Sequence, residues 1–268
     1  MTLKRPIRIG VQLAPQHAEY STIRKTVSDC EELGVDVIFN WDHFFPLSGE
    51  PDGKHFEAWS MLAAIAEQTS KVQFGCLVNC NAYRNPNLQA DMARTIDHIS
   101  SASNGGVGRF IFGTGAGWFE KDFDEYGYEF GTKGSRLAAL AEALPIIRDR
   151  WQKLNPPPTR EIPILIGGGG EKKTLRMVAE HANIWHSFAS PEDLERKLSI
   201  LAEHGKDVGR DVAEIEISNE LKDRTSDTAD ALVSLGTSLF TLQVSGPVYD
   251  LAKIKEWLDW RDQHNRNR

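Results

Sequence analysis

The chain has 268 residues, 40% apolar and 26% charged, a balance suited to one globular domain with a full core. Its net charge of −7 is offset by no concentrated basic patch, which argues against a nucleic-acid partner and for a small-molecule substrate. It offers no run of about 18 apolar residues to cross a bilayer, and Met1 to Arg8 lacks a signal-peptide stretch, so a cytoplasmic protein with no membrane partner is expected.

Hydrophobic runs bounded by turn residues give strand and helix patterns in strict alternation. A predicted strand at Arg8 to Ala14 leads to a helix pattern at Tyr20 to Leu33, and one at Val35 to Asp42 leads to Trp59 to Thr69. Val72 to Val78 precedes Asn87 to Ser100, and Arg109 to Ala116 precedes Arg136 to Leu154. Pro163 to Gly167 is followed by Glu171 to His181, and Asn183 to Phe188 by Pro191 to His204. Glu214 to Asn219 with Thr228 to Leu235, then Leu239 to Ser245 with Asp250 to His264, complete the series.

Unbroken βα alternation predicts a parallel sheet, and eight such units over this length predict an α/β fold of the (β/α)8 TIM-barrel type. An open doubly wound sheet is the alternative. Asn155-Pro156-Pro157-Pro158 is too short to be a linker between domains, so residues 1–268 are taken as a single domain. Cys30, Cys76 and Cys80 form no CxxC pair and predict buried thiols, with neither disulfides nor a metal site. The lack of a GxSxG elbow disfavours a serine hydrolase.

In such a barrel the chemistry lies just beyond the C-terminal ends of the strands. After the second predicted strand, Asp42 and His43 stand among Trp41, Phe44 and Phe45, a grouping suited to a flat ring with a polar edge. Asp42 as a turn cap with aromatic packing is the competing reading. After the fourth, Gly113-Thr114-Gly115-Ala116-Gly117-Trp118 lets backbone approach a ligand face, or simply forms a tight turn; its spacing fails the dinucleotide fingerprint. After the fifth, Gly167-Gly168-Gly169-Gly170 opens a helix pattern, where free amides and the helix dipole suit a phosphate; a plain flexible turn is the alternative. In the third, Gly75 marks a bulge or a close ligand approach, and Cys76 is read as packing rather than nucleophile.

Taken together, these motifs resemble the luciferase-like monooxygenase superfamily, specifically its branch of oxidoreductases dependent on the deazaflavin coenzyme F420. The carriers are Ile9-Gly10-Val11-Gln12, Trp41-Asp42-His43-Phe44, Tyr83-Arg84-Asn85-Pro86, Asp97-His98-Ile99-Ser100, the two glycine stretches and Ser245-Gly246-Pro247, spread over nearly the whole chain. The resemblance implies that the tricyclic ring lies over the strand ends near Asp42, Cys76, Leu77, Val78, Gly115, Ala116 and Gly117, with the phosphate tail at Gly167 to Gly170. It implies a non-prolyl cis peptide between Leu77 and Val78, and a role for His43 near the centre of hydride transfer. FMN with oxygen chemistry, a non-catalytic flavin or deazaflavin carrier, and a homodimer stand as further possibilities. Two features depart from the family pattern: Trp118 stands where its sugar-phosphate dehydrogenases have a glutamate, and the segment from Leu154 to Glu161 is short. The substrate therefore does not carry over.

Overall fold

The computed structural model describes residues 5–266. Strand β1 spans Arg8–Leu13, followed by helix α1 (Tyr20–Leu33), β2 (Val37–Asn40), α2 (Ala58–Gln68), β3 (Gln73–Cys76) and the short β4 (Asn79–Cys80). Next come α3 (Pro86–Ser101), β5 (Phe110–Gly115), α4 (Glu120–Tyr126), α5 (Lys133–Lys153), β6 (Ile164–Gly167) and α6 (Thr174–His181). The chain continues through β7 (Ile184–Ser187), α7 (Pro191–Val208), β8 (Glu216–Glu220), α8 (Ser226–Ser234), β9 (Thr237–Val244) and α9 (Ala252–Arg266).

All ladders are parallel, as crossover helices require. β1 pairs with both β2 and β9, and β3 pairs with β5, so β1, β2, β3 and β5 to β9 close into a ring of eight. Closure removes both sheet edges and rules out the open doubly wound alternative. β4 carries the β3 line upward against β5, with Asn79 opposite Thr114.

Alternation along each strand separates two apolar layers. In β5, Phe110 and Phe112 pack outward beneath the helices while Ile111 points inward; in β6, Ile164 and Ile166 face out and Leu165 in. Val37, Phe39, Ile184 and Leu239 join Ile111 and Leu165 inside, and burying each such side chain is worth about 1.5–3 kcal/mol. At the N-terminal end of the barrel, Arg8 Nη2 pairs with Glu216 Oε2 at 2.6 Å and its Nη1 donates to Gln73. That plug leaves the opposite mouth as the place for a ligand.

Local chemistry explains the boundaries. Asn85 and Ser190 cap α3 and α7 ahead of Pro86 and Pro191, whose fixed φ suits a first helical turn. Two expectations need correction. The helix expected from Glu171 begins at Thr174: residues 171–173 form a turn, where the Leu175 amide donates to the Gly170 carbonyl over five residues instead of the helical four. The α4 helix went unread because its seven residues are mostly acidic and bury only Asp122 and Phe123, leaving no apolar stripe to detect. Among the described residues, no helix is long and apolar enough to cross a membrane.

Candidate active site

A cavity of about 650 Å³ opens at the C-terminal mouth of the barrel. Its floor is made by the last inward-facing residues of the strands, and these divide into two arcs. On β5 and β6 the floor is Gly115 and Gly167, and the turn after β3 adds Leu77 and Val78, an entirely apolar arc. On β7, β8, β9 and β1 it is His186, Glu220, Gln243 and Gln12, entirely polar.

The apolar arc is shaped by a break in the third barrel strand. The Leu77–Val78 peptide is cis, as the family resemblance implies, and the strand pairs again only at Asn79. Val78 is thereby laid across two glycines: a Cβ on Gly115 would stand 2.8 Å from Val78 Cγ2, and one on Gly167 2.9 Å from Val78 Cγ1. Only glycine leaves that surface flat. Gln12 Nε2, two strands away on β1, fastens the bend by donating to the Leu77 carbonyl at 2.7 Å.

Above this floor the β2 loop delivers His43. Its Nδ1 lies 2.6 Å from Asp122 Oδ2, and the ring packs edge-on against Trp118 and Phe119 at centroid distances of 5.7 and 5.4 Å. Asp122 is fully buried and also accepts from the Tyr83 hydroxyl at 3.0 Å and from the Phe44 amide at 3.0 Å. A carboxylate met by three donors orients the imidazole: Nδ1 donates to it, which leaves Nε2 as the exchangeable nitrogen. Burial lowers the pKa of nearby His55 to about 4, with the neighbouring His43 adding to the shift, so His55 is a neutral acceptor for Trp41 Nε1 at 3.0 Å.

Asp42 takes a different role from the one expected. It borders the cavity, but its carboxylate is bridged by Arg84 at 2.6 and 3.0 Å and accepts from the Cys80 amide at 3.0 Å. Arg84 also reaches Glu57, the cap of α2, at 2.7 Å. Asp42 is thus an internal anchor tying the β2 loop to the end of β4, rather than a carboxylate offered to a ring. Cys76 is also corrected as a ligand contact: strand parity turns its thiol outward with Phe74 into the layer beneath the helices, where burial pushes its pKa up.

The remaining expected positions share this one cavity. Leu77, Val78, Gly115, Ala116 and Gly117 line it, as do Gly167 to Gly170 beside Thr174 at the start of α6. The amides of Gly169, Gly170, Glu171 and Lys172 have no acceptor among the described residues, which leaves a row of donors under the helix start. Lys197 from α7 closes the loop from behind, donating to the Gly169 carbonyl at 2.7 Å. Glu171 is neutralised by Arg196 and Lys197, so its charge does not oppose an anion there.

Sequence reading gave no site role to Asp122, Tyr83, Lys197, Glu220 or Gln243. Asp122 meets His43 across 79 residues and Tyr83 across 39, and no local pattern encodes that. Glu220 had a legible signal: Glu216, Ser218 and Glu220 alternate as polar residues facing inward, but the predicted strand stopped one residue early, at Asn219. No cluster of His, Cys, Asp and Glu able to hold a metal occurs among the described residues.

A family model described as luciferase-like monooxygenase matches residues 3–243. An F420-dependent glucose-6-phosphate dehydrogenase of Amycolatopsis mediterranei is 30% identical over 159 residues, 52% of this chain, and the chain spans only 45% of that relative. The coenzyme F420-dependent tetrahydromethanopterin reductase of Methanopyrus kandleri superposes with a TM-score of 0.71 at 17% identity, covering 94% of this chain and 96% of that one. The monooxygenase RslO1 of Streptomyces bottropensis gives 0.69 at 14% identity, covering 96% and 98%. At such identities the structural likeness shows the fold.

Proposed function

Because the chain belongs to the luciferase-like monooxygenase family, we propose that it is an oxidoreductase that binds coenzyme F420 and exchanges a hydride with a small organic substrate. The observation that carries this reading is the oriented His43–Asp122 pair standing over a flat, glycine-lined floor. The glycine cradle fits a planar tricycle, and the free amides of Gly169 to Lys172 fit a phosphate tail. When bound, F420 supplies hydride exchange at a ring carbon.

The chain's own residues do the rest. Leu77, Val78, Gly115 and Gly167 support a ring face, and Trp118 walls the space beside His43. His43 Nε2 takes the proton from a substrate hydroxyl during oxidation and returns it during reduction, so no alkoxide is left uncompensated. Asp122 holds the imidazole and stabilises its protonated form; Tyr83 and the Phe44 amide hold Asp122. The relative named as F420-dependent supports the cofactor assignment. FMN stands as a second reading, since a flat floor accepts either tricycle.

Titration of the purified protein with F420 and with FMN, followed by cofactor fluorescence, separates the two. F420 is expected to bind at least about tenfold more tightly, a difference of roughly 1.4 kcal/mol. Tighter FMN binding, or no binding of F420, overturns the assignment.

A further inference from the structure

The polar arc of the floor stands apart from the glycine-lined surface and the row of amides, and it has a composition of its own. Glu220 closes β8 with the same inward parity as Ser218, whose hydroxyl meets His186 Nδ1 at 2.9 Å. The Glu220 carboxylate lines the cavity, is half-buried, and makes no hydrogen bond or ion pair among the described residues. Burial raises its pKa, and only the more distant charges of Lys222 and Arg224 pull the other way.

Around it the groups are uncharged or turned elsewhere. His186 is wholly buried and held neutral, its pKa lowered to about 3 by burial. Gln243 on the adjacent β9 and, one strand further, Gln12 on β1 continue the arc from Glu220. Arg224 is turned to the Gln243 carbonyl, and exposed Lys222 sits 5.1 Å over the Phe188 ring at the rim. The other lysine of the cavity, Lys133, is also exposed at the rim. No cation stands on the floor among the described residues. Exposed Phe188, 54% accessible, and Trp118, 64% accessible, supply apolar walls.

We propose that the polar arc is the substrate subsite and that Glu220 selects its occupant, a small molecule with an apolar body that presents a hydroxyl or ammonium donor, while carboxylates and phosphates are excluded. An unpartnered, half-buried carboxylate is stabilised by a donor and destabilised by a second anion, and the two cations that act on it, Arg224 and Lys222, are engaged by the Gln243 carbonyl and the Phe188 ring. This inference rests on the reading of the cavity as an F420 active site and names the substrate class for it.

The test uses three probes of one shape: aminocyclohexanol, cyclohexanediol and hydroxycyclohexanecarboxylate. Their affinities are measured by NMR titration in mildly alkaline buffer, on the cofactor-free and the F420-loaded protein. The wild type is expected to bind the amine and the diol at least about tenfold more tightly than the carboxylate. Glu220→Gln is expected to bring all three within about threefold of one another, and Glu220→Lys to favour the carboxylate. Equal binding of the carboxylate by the wild type, no binding of any probe, or unchanged discrimination in Glu220→Gln overturns the proposal. F420 titration of the same proteins keeps the two questions apart: loss of F420 binding in the wild type defeats the cofactor reading, while the probe order in the cofactor-free protein still decides the role of Glu220.

Discussion

His43 Nδ1 and Asp122 Oδ2 lie 2.6 Å apart, joining the loop after β2 to the first turn of α4. This bond fixes which nitrogen faces the cavity. His43→Ala is expected to lower turnover by about 10²-fold or more while leaving F420 affinity nearly intact. Asp122→Asn retains the shape but loses the charge that supports the imidazolium, and is expected to lower kcat by at least about tenfold with little change in KM. The measurement is steady-state kinetics with the pH profile of kcat. An unchanged kcat and profile in Asp122→Asn would show the pair to be structural only.

The row of free amides after β6 predicts a phosphate-specific effect. Gly169→Val is expected to weaken F420 by about tenfold or more, yet to change the affinity for a phosphate-free deazariboflavin by less than about twofold. Fluorescence titration with both ligands reads this directly. Equal losses for the two would place the ring, not the phosphate, at the loop.

Arg84 and Asp42 predict a stability effect. Removing the guanidinium in Arg84→Ala leaves a fully buried carboxylate without its partner and is expected to cost about 3–5 kcal/mol. For a chain of this size that corresponds to a fall in Tm of roughly 10 °C. Calorimetry checks the value, and the double variant Arg84→Leu with Asp42→Asn is expected to recover much of the loss.

Two buried histidines predict an acid-sensitive fold. Burial holds the pKa of His186 near 3 and, with the neighbouring His43, that of His55 near 4, whereas an unfolded histidine titrates near about 6.5. Below that pH the unfolded chain binds protons that the folded chain refuses, so stability is complete above about 6.5 and falls as pH drops. The slope is on the order of 1.4 kcal/mol per pH unit for each histidine. Urea unfolding midpoints between roughly pH 6.5 and 5 read this slope. His186→Gln, which retains a polar group beside Ser218, is expected to remove about half of it, and an unaltered slope would mean that His186 is not the group titrating.

What could be read along the chain was whatever has a short period or a fixed local grammar. Apolar runs such as Ile164 to Ile166, capped helices such as the one after Asn85-Pro86, and the glycine stretch at Gly167 to Gly170 each report their own conformation through neighbours a few residues away. Eight such units in strict alternation leave little choice beyond the closed barrel, and the rule that chemistry gathers at the strand ends placed His43 and both glycine stretches at one mouth. The features that stayed hidden depend on contacts between distant residues. Asp122 becomes the partner of His43 only when α4 folds back over the β2 loop, and Asp42 is drawn inward only because Arg84 arrives beside it. Cys76 and Glu220 were decided by parity at strand ends, where a shift of one residue exchanges the layer beneath the helices for the floor of the cavity. Local sequence states which side chains are available, while barrel closure sets which of them share a desolvated space, and there partnership, more than residue type, determines whether a charge is an anchor, a base or a recognition group.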